Sequence, residues 1–122
     1  MIGYITVGSN DLAKAAGFFD PLLTKLGGSR AYTLDHQIAW GFGPKRPMLV
    51  VTRPHDGAPA TAGNGTMVAL MAASQAQVDE IHALALARGA TDEGAPGPRG
   101  PRFYGGYFRD PDGNKFNLFL MS

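Results

Sequence analysis

The segment YFRDPDGNKFNLFL, residues 107–120, decides the fold of this 122-residue chain. Apolar and aromatic residues alternate on both sides of the sequence DPDG. Asp-Pro and Asp-Gly pairs are typical of tight turns, and alternating apolar residues are typical of strands. The segment therefore predicts a strand, a turn in which Gly113 takes a positive φ, and a last strand with Asn117 in its middle.

The same pattern of elements occurs twice along the chain. Segments of alternating or continuous apolar residues predict strands at 2–8, 30–34, 37–42, 47–52, 65–72, 102–109 and 115–121. Apolar residues at helical spacing follow the first strand of each half, after Ser9 or Asn10 in one and after Ser74 in the other. Each half is thus βαβββ, with GAT at 89–91 standing for the short second strand of the second half. A repeat of this length indicates two copies of one supersecondary unit.

Glycine and proline divide the chain at two places, RPHDGAPATAGNG (53–65) and DEGAPGPRGPR (92–102), and both predict loops. We interpret the chain as a single domain with module 1 at 1–53, a linker at 54–64 and module 2 at 65–122. Pro21 lies within the first helical pattern and predicts a kink there. Gly27 and Gly28 predict the end of that helix.

Composition excludes several functions. The chain has no cysteine, which excludes disulfides, thiolate zinc sites and a cysteine nucleophile. A net charge of +1 does not favour a nucleic-acid surface. No apolar run of about 18 residues is present, and the beginning of the chain lacks the features of a signal peptide. We expect a cytoplasmic protein with neither a membrane nor a nucleic acid as partner.

Paired βαβββ modules closed by YFRDPDGNKF resemble the vicinal oxygen chelate superfamily, also called the glyoxalase, bleomycin-resistance and dioxygenase family. The resemblance covers essentially the whole chain, and RDPDGNK before the last strand is its most specific part. MIGYITVGSNDLAKAAGFFDPLL and GNGTMVAL agree with it at the expected positions. It implies an α+β fold in which two curled mixed sheets form a shared cleft. It also implies a homodimer, with the cleft either within one chain or shared between two.

Many members of the family hold a divalent metal with His, Gln or Glu from the first and last strand of each module. Those positions match Tyr4, Met67 and Asn117 here, with Leu49 a less certain fourth. Zn²⁺, Ni²⁺ and Fe²⁺ favour imidazole and carboxylate, and methionine is a soft donor that suits none of them. We therefore expect no metal of the family type and no cofactor. His36 and His55 in turns and His82 on a helix surface are not expected to converge on another site.

Strand alternation around Asn117 predicts the residues that face the cleft. They are Tyr4, Thr6, Gln37, Leu49, Met67, Phe103, Tyr107, Asn117 and Phe119. The resemblance to relatives that inactivate fosfomycin implies that Tyr107 reaches the substrate, and Tyr107 and Tyr4 are the candidate catalytic residues. Arg99 and Arg102 are candidates for a lid that meets an anionic group. Met67 and Leu49 are more typical of an apolar core than of a ligand site.

Three functions remain open from the sequence. The first is a protein that binds a small apolar or aromatic molecule without a metal. The second is a lyase, isomerase or dioxygenase of glyoxalase type that uses a metal or tyrosine acid–base chemistry. The third is a non-catalytic interaction protein, which a cleft filled by Met67, Leu49 and Phe119 would favour.

Overall fold

A computed structural model describes residues 1–122, which form eight strands and two helices. The elements are β1 (Tyr4–Gly8), α1 (Leu12–Lys25), β2 (Ser29–Thr33), β3 (Gln37–Gly41), β4 (Met48–Thr52), β5 (Val68–Met71), α2 (Gln75–Ala87), β6 (Thr91–Pro98), β7 (Phe103–Arg109) and β8 (Lys115–Met121). Neither helix is long and apolar enough to cross a membrane.

The strands form two four-stranded mixed sheets with the same topology. Sheet 1 has the order β1-β4-β3-β2, and sheet 2 has the order β5-β8-β7-β6. In each sheet the first strand pairs in parallel with the last, and the remaining pairs are antiparallel. The α+β fold of two βαβββ modules is therefore confirmed.

The helices cover one face of each sheet, and their side chains merge the two modules into one core. Phe19 of α1 packs 5.6 Å from Trp40 of β3 and 5.5 Å from Phe116 of β8, between ring centroids. Phe18 reaches Phe108 of β7 at 6.0 Å. Because α1 contacts both sheets through these aromatic residues, burial of its apolar face stabilises the whole domain.

Helix α1 begins one or two residues later than predicted. Its N-cap is Asp11, whereas the sequence predicted Ser9 or Asn10. The Asp11 side chain accepts a hydrogen bond from the Lys14 amide, the usual way of satisfying a free N–H at a helix start. The helix continues through Pro21 and ends before Gly27, whose φ of 85° allows the chain to turn.

Helix α2 begins as the sequence predicts. Ser74 accepts a hydrogen bond from the Gln77 amide at 3.1 Å. The Gln77 side chain in turn accepts one from the amide of Ala73 rather than from that of Ser74. This is a capping box displaced by one residue, and it still satisfies two amides at the helix start.

Asp20, on α1, joins that helix to sheet 1. Its carboxylate accepts hydrogen bonds from Arg30 at 2.6 and 2.9 Å and from the buried Trp40 indole at 2.9 Å. The hydrogen bond from Arg30 is the main cause that lowers the pKa of Asp20, and the one from Trp40 adds to it. The ionised carboxylate is therefore the form that the fold favours.

The loop prediction for residues 92–102 is wrong over most of its length, because Thr91–Pro98 is strand β6. Gly94 pairs with Tyr107 and Gly97 with Gly105, with irregular register between the pairs. Because β6 lies at the edge of the sheet, its prolines do not interrupt a ladder on the outer side. Only residues 99–102 remain as the turn that leads into β7.

The turn of the RDPDGN segment joins the two modules. Asp110 accepts hydrogen bonds from the amides of Asp112 and Asn114, and Gly113 has a φ of 91° as predicted. The buried Asn114 side chain donates to the Gly8 carbonyl at 2.8 Å. Burial raises the pKa of Asp110, against the hydrogen bonds from Asn114 that lower it. The segment that is most specific to the family resemblance therefore forms a contact between the two modules.

Candidate functional site

The face of each sheet that turns away from the helices is called the open face here. In sheet 2, Phe108 and Phe116 form one cross-strand pair that points to the core. The pairs Tyr107–Asn117 and Gly105–Phe119 alternate with it and lie on the open face, where Phe103 pairs with Met121. Four of the predicted cleft residues therefore share one surface: Phe103, Tyr107, Asn117 and Phe119.

An aromatic wall occupies one end of this face. The rings of Phe103 and Phe119 stack with centroids 5.4 Å apart and planes 3° from parallel. Gly105 pairs with Phe119, and a Cβ there would stand 2.9 Å from the Phe103 ring and 3.0 Å from the Asn117 amide nitrogen. The wall thus depends on a glycine that leaves room for both neighbours.

Asn117 lies in the middle of the open face and is only 1% exposed. Its amide nitrogen donates to the carbonyls of Gly106 at 3.0 Å and Leu118 at 3.3 Å. These two acceptors fix which way the amide points, since the opposite orientation would set oxygen against oxygen. Asn117 is therefore held by the backbone and keeps its side-chain oxygen as a possible acceptor.

Tyr107 stands beside Asn117 between two cations. The Arg99 guanidinium and the Lys115 ammonium each lie 5.7 Å from the centre of the Tyr107 ring. Cations at this distance are attracted by the face of an aromatic ring. The open face of sheet 2 thus has an apolar end at Phe103 and Phe119 and a positively charged end at Tyr107.

The two predicted lid residues are separated by the fold. Arg99 lies over the open face, while Arg102 borders a cavity of about 310 Å³ together with Tyr104 and Leu120. Tyr104 and Leu120 form a cross-strand pair on the helix side of the sheet. Residues 92–98 are paired strand rather than a free loop, and of the two arginines it is Arg99 that approaches the candidate site.

His82 is not the surface residue that its helix position suggested, since it is 4% exposed. Its Nε2 lies 3.0 Å from the Tyr107 carbonyl and 3.3 Å from a carboxylate oxygen of Asp92. Both groups can accept a hydrogen bond from an N–H at this atom. His82 therefore supports the backbone of β7 directly behind the Tyr107 side chain.

The open face of sheet 1 carries Tyr4, Thr6 and Gln37. Tyr4 pairs with Met48, Thr6 with Val50, and Gln37 donates a hydrogen bond to the Tyr32 hydroxyl at 2.7 Å. These residues share one surface, as predicted. It is more polar than the open face of sheet 2 and has no stacked ring pair.

The prediction for Leu49 is wrong as a cleft residue and right as a core residue. Leu49 is 3% exposed and pairs with Trp40, which faces the helices. The register of β1 with β4 matches Leu49 to Phe116 of the second module, so the counterpart of Asn117 is Val50. The match of Leu49 to the fourth metal position of the family is therefore one residue out of register.

Within one chain the two open faces remain separate. The modules meet through α1, α2 and the turn at 110–114, and the strands of sheet 1 do not pair with those of sheet 2. Tyr4 is 63% and Met67 45% exposed, so neither fills a closed cleft. A groove of about 440 Å³ leads from Phe119 and Met71 of sheet 2 to Phe42 of module 1.

The residues at the family's metal positions do not fit a metal ion. Val50 offers no donor, Met67 only a soft sulfur, and Asn117 a single neutral oxygen. Tyr4 lies in sheet 1 with Val50, whereas Met67 and Asn117 belong to module 2, and tyrosine is a rare metal ligand. No three His, Asp or Glu side chains of the chain come together elsewhere.

Three residues of these surfaces were missed from the sequence: Lys115, Val50 and Met71. Lys115 lies two positions before Asn117, so strict alternation would have placed it on the same face. Met71 follows two positions after Ala69, which pairs with Asn117. Val50 carried no such signal, because it lies within the continuous apolar run LVV.

Comparisons with known proteins agree with this architecture. The profile described as Glyoxalase/Bleomycin resistance protein/Dioxygenase superfamily matches residues 1–118. The crystal structure of a glyoxalase/bleomycin resistance protein from Albidiferax ferrireducens T118 is 36% identical, covers 100% of this chain and 99% of its own, and superposes with a TM-score of 0.91.

More distant structures share the fold. A putative glyoxalase from Bacillus halodurans is 22% identical, with 98% of this chain and 95% of that chain covered and a TM-score of 0.80. A glyoxalase/bleomycin resistance protein/dioxygenase family enzyme from Burkholderia phytofirmans PsJN is 16% identical, with 98% of both chains covered and a TM-score of 0.79. No curated protein matches the sequence.

Proposed function

The chain belongs to the glyoxalase/bleomycin resistance protein/dioxygenase superfamily, and from this premise we propose that it binds a small apolar or aromatic molecule without a metal ion. The binding surface is the open face of sheet 2. The observation that carries the proposal is the stacked pair of Phe103 and Phe119 beside the fixed amide of Asn117. Ligand sites combine apolar walls with a few placed polar groups in this way.

The donor set supports metal-independent binding. A catalytic divalent ion in proteins is held by three or more strong ligands, with one position left for water or substrate. Val50, Met67 and Asn117 supply at most one neutral oxygen among them. In the proposed binding mode, hydrogen bonds from the protein hold the ligand, and no metal ion is needed.

We further propose that the protein is a homodimer in which the open faces of two chains enclose the ligand. Tyr4, Met67 and Met71 are large apolar or aromatic side chains that are at least 45% exposed on these faces. Strands β1 and β5 are also unpaired sheet edges. Exposed apolar surface next to free edges is typical of interaction surfaces.

Binding of the neutral probe 2-naphthalenemethanol tests the proposed ligand class. In the presence of EDTA, amide shifts in a ¹H–¹⁵N spectrum should concentrate at Gly105, Tyr107 and Phe119. Phe119→Ala should weaken binding, whereas Leu86→Ala, which removes an exposed leucine from α2, should leave it unchanged. Shifts confined to other surfaces, or equal effects of the two substitutions, would argue against this site.

A second candidate is an enzyme of glyoxalase type in which Tyr107 acts as acid or base. The position of Tyr107 between Arg99 and Lys115 favours it, since two cations stabilise negative charge that develops nearby. A ligand found by binding would be incubated with the protein and followed for conversion. Conversion that Tyr107→Phe abolishes while binding persists would establish this alternative over binding alone.

A further inference from the structure

We infer that the molecule bound on the open face of sheet 2 carries a carboxylate, which Arg99 and Lys115 hold at either side of Tyr107. This inference rests on the proposed binding function and adds a chemical class to it. An aromatic acid would place its charge at the positive end of the face and its ring against Phe119.

The Arg99 side chain is positioned by glycines. It lies back along β6, where Cβ atoms at Gly97 and Gly94 would stand only 3.2 and 3.4 Å from its guanidinium nitrogens. One of those nitrogens donates to the Ala95 carbonyl at 2.7 Å. A bulkier residue at either glycine would displace the guanidinium from the Tyr107 ring. The hydrogen bond to Ala95 holds the Arg99 guanidinium in place and leaves other N–H groups of the guanidinium free to donate to a ligand.

Lys115 approaches the same ring from β8, the strand on the other side of β7 from β6. It shares the open face with Asn117 by alternation, and its ammonium is 5.7 Å from the Tyr107 ring centre. Strand β7, which carries Tyr107, lies between β6 and β8. The two cations therefore flank one tyrosine rather than gather on one strand.

Neither cation is neutralised by the protein. The chain forms ion pairs at Lys25, Arg30 and Arg109 with carboxylates at 2.5 to 2.6 Å, but none at Arg99 or Lys115. Arg109 shows the contrast most directly, because it lies two residues from Tyr107 and is paired with Glu93. Two cations without an ion-pair partner beside one tyrosine ring form a site suited to an external anion.

The spacing of the face favours an aromatic acid over a simple inorganic anion. Phe119 is two residues from Asn117 along β8, which corresponds to about 7 Å. A carboxylate over Tyr107 would thus carry an attached ring to the aromatic wall and to the groove lined by Phe119 and Met71. The carboxylate would then lie near the two cations, and the ring would contact Phe119.

Isothermal titration calorimetry with two probes of nearly equal shape tests the inference. 2-Naphthoate carries the charge, and 2-naphthalenemethanol is its neutral counterpart. At low ionic strength we expect 2-naphthoate to bind about ten-fold tighter or more, as hydrogen bonds to a charged group predict. Raising the salt concentration should weaken only the binding of 2-naphthoate.

Substitutions of Arg99 and Lys115 test whether these residues cause the preference for 2-naphthoate over 2-naphthalenemethanol. Arg99→Gln and Lys115→Gln should each reduce the preference for 2-naphthoate several-fold and leave affinity for the alcohol unchanged. Arg102→Gln is the matched control, because Arg102 lies in the same turn but is not one of the two cations at the Tyr107 ring, and it should keep the full preference. Unchanged affinity for the alcohol also shows that the variants are folded.

The outcomes separate the inference from the proposed function. If both probes bind equally well, the small-molecule function stands and the carboxylate inference is wrong. A preference that survives in both Arg99→Gln and Lys115→Gln would also overturn it. If neither probe binds, the proposed function fails, and the inference fails with it.

Discussion

The substitution Gly105→Ala tests whether the aromatic wall is as tightly packed as the structure shows. The added methyl group would stand 2.9 Å from the Phe103 ring, 3.0 Å from the Asn117 amide nitrogen and 3.1 Å from the Leu118 carbonyl oxygen. The carbonyl belongs to the paired strand and cannot rotate away. The methyl group therefore forces Phe103 and Asn117 to move, or it separates β7 from β8.

The expected magnitude follows from comparison with Gly41, an open-face glycine of sheet 1. A methyl group there would meet its nearest neighbours, Ala31 and Met48, at an ordinary 3.8 Å. Gly41→Ala should stabilise the protein by about 0.4–1 kcal/mol, because alanine restricts the unfolded chain. Overpacking at Gly105 should instead cost about 1–3 kcal/mol.

Urea denaturation followed by circular dichroism measures both changes. With a slope of about 2 kcal/mol per molar urea, the unfolding midpoints of the two variants should differ by about 0.7–2 M. Gly105→Ala should also weaken binding of 2-naphthalenemethanol, since the stacked pair is part of the site. Equal midpoints for the two variants would refute the argument that close approach requires glycine at 105.

Other consequences of the structure are open to measurement. Asn114→Ala removes the bond to the Gly8 carbonyl and should lower the free energy of unfolding by about 1–3 kcal/mol, measured by urea denaturation; a change near zero would argue against a contact between modules there. Asp20→Asn should cost stability at neutral pH, because the folded-state pKa of Asp20 is lowered. That advantage of the wild type should disappear as the pH falls below about 4 and through the folded pKa; a difference that stays constant down to pH 2 would contradict it. Tyr4→Asp should shift the protein from dimer to monomer in sedimentation velocity, whereas Leu86→Asp on α2 should not; dimers in both would place the interface elsewhere.

Sequence alone was sufficient for the fold and for the aromatic and amide residues on the open face of sheet 2. Polar or small residues alternate with core residues along β7 and β8, so period-two alternation placed Tyr107, Asn117 and Phe119 correctly. It failed at Leu49, because the run LVV is apolar throughout and contains no marker of the outward face. Only pairing with Trp40 fixes its register.

Two further sequence predictions were wrong because tertiary contacts outweigh the local structural preference of the residues. β6 has the composition of a loop, and β7 alone supplies the partner that makes it a strand. His82 reads as a polar helix residue, but the Tyr107 carbonyl and Asp92 satisfy its N–H and allow it to be buried. The approach of Arg99 to Tyr107 could not be predicted either, since the path of its side chain depends on the glycines of β6.

Titration of 2-naphthalenemethanol into the chelator-treated protein tests the central claim, that the open face binds an aromatic molecule without a metal, most directly. The account predicts saturable binding in EDTA with a dissociation constant that does not change when Zn²⁺, Ni²⁺ or Mn²⁺ is supplied in its place. Binding that appears only after a metal is added would contradict it. That result would mean that residues other than Tyr4, Val50, Met67 and Asn117 complete a metal site.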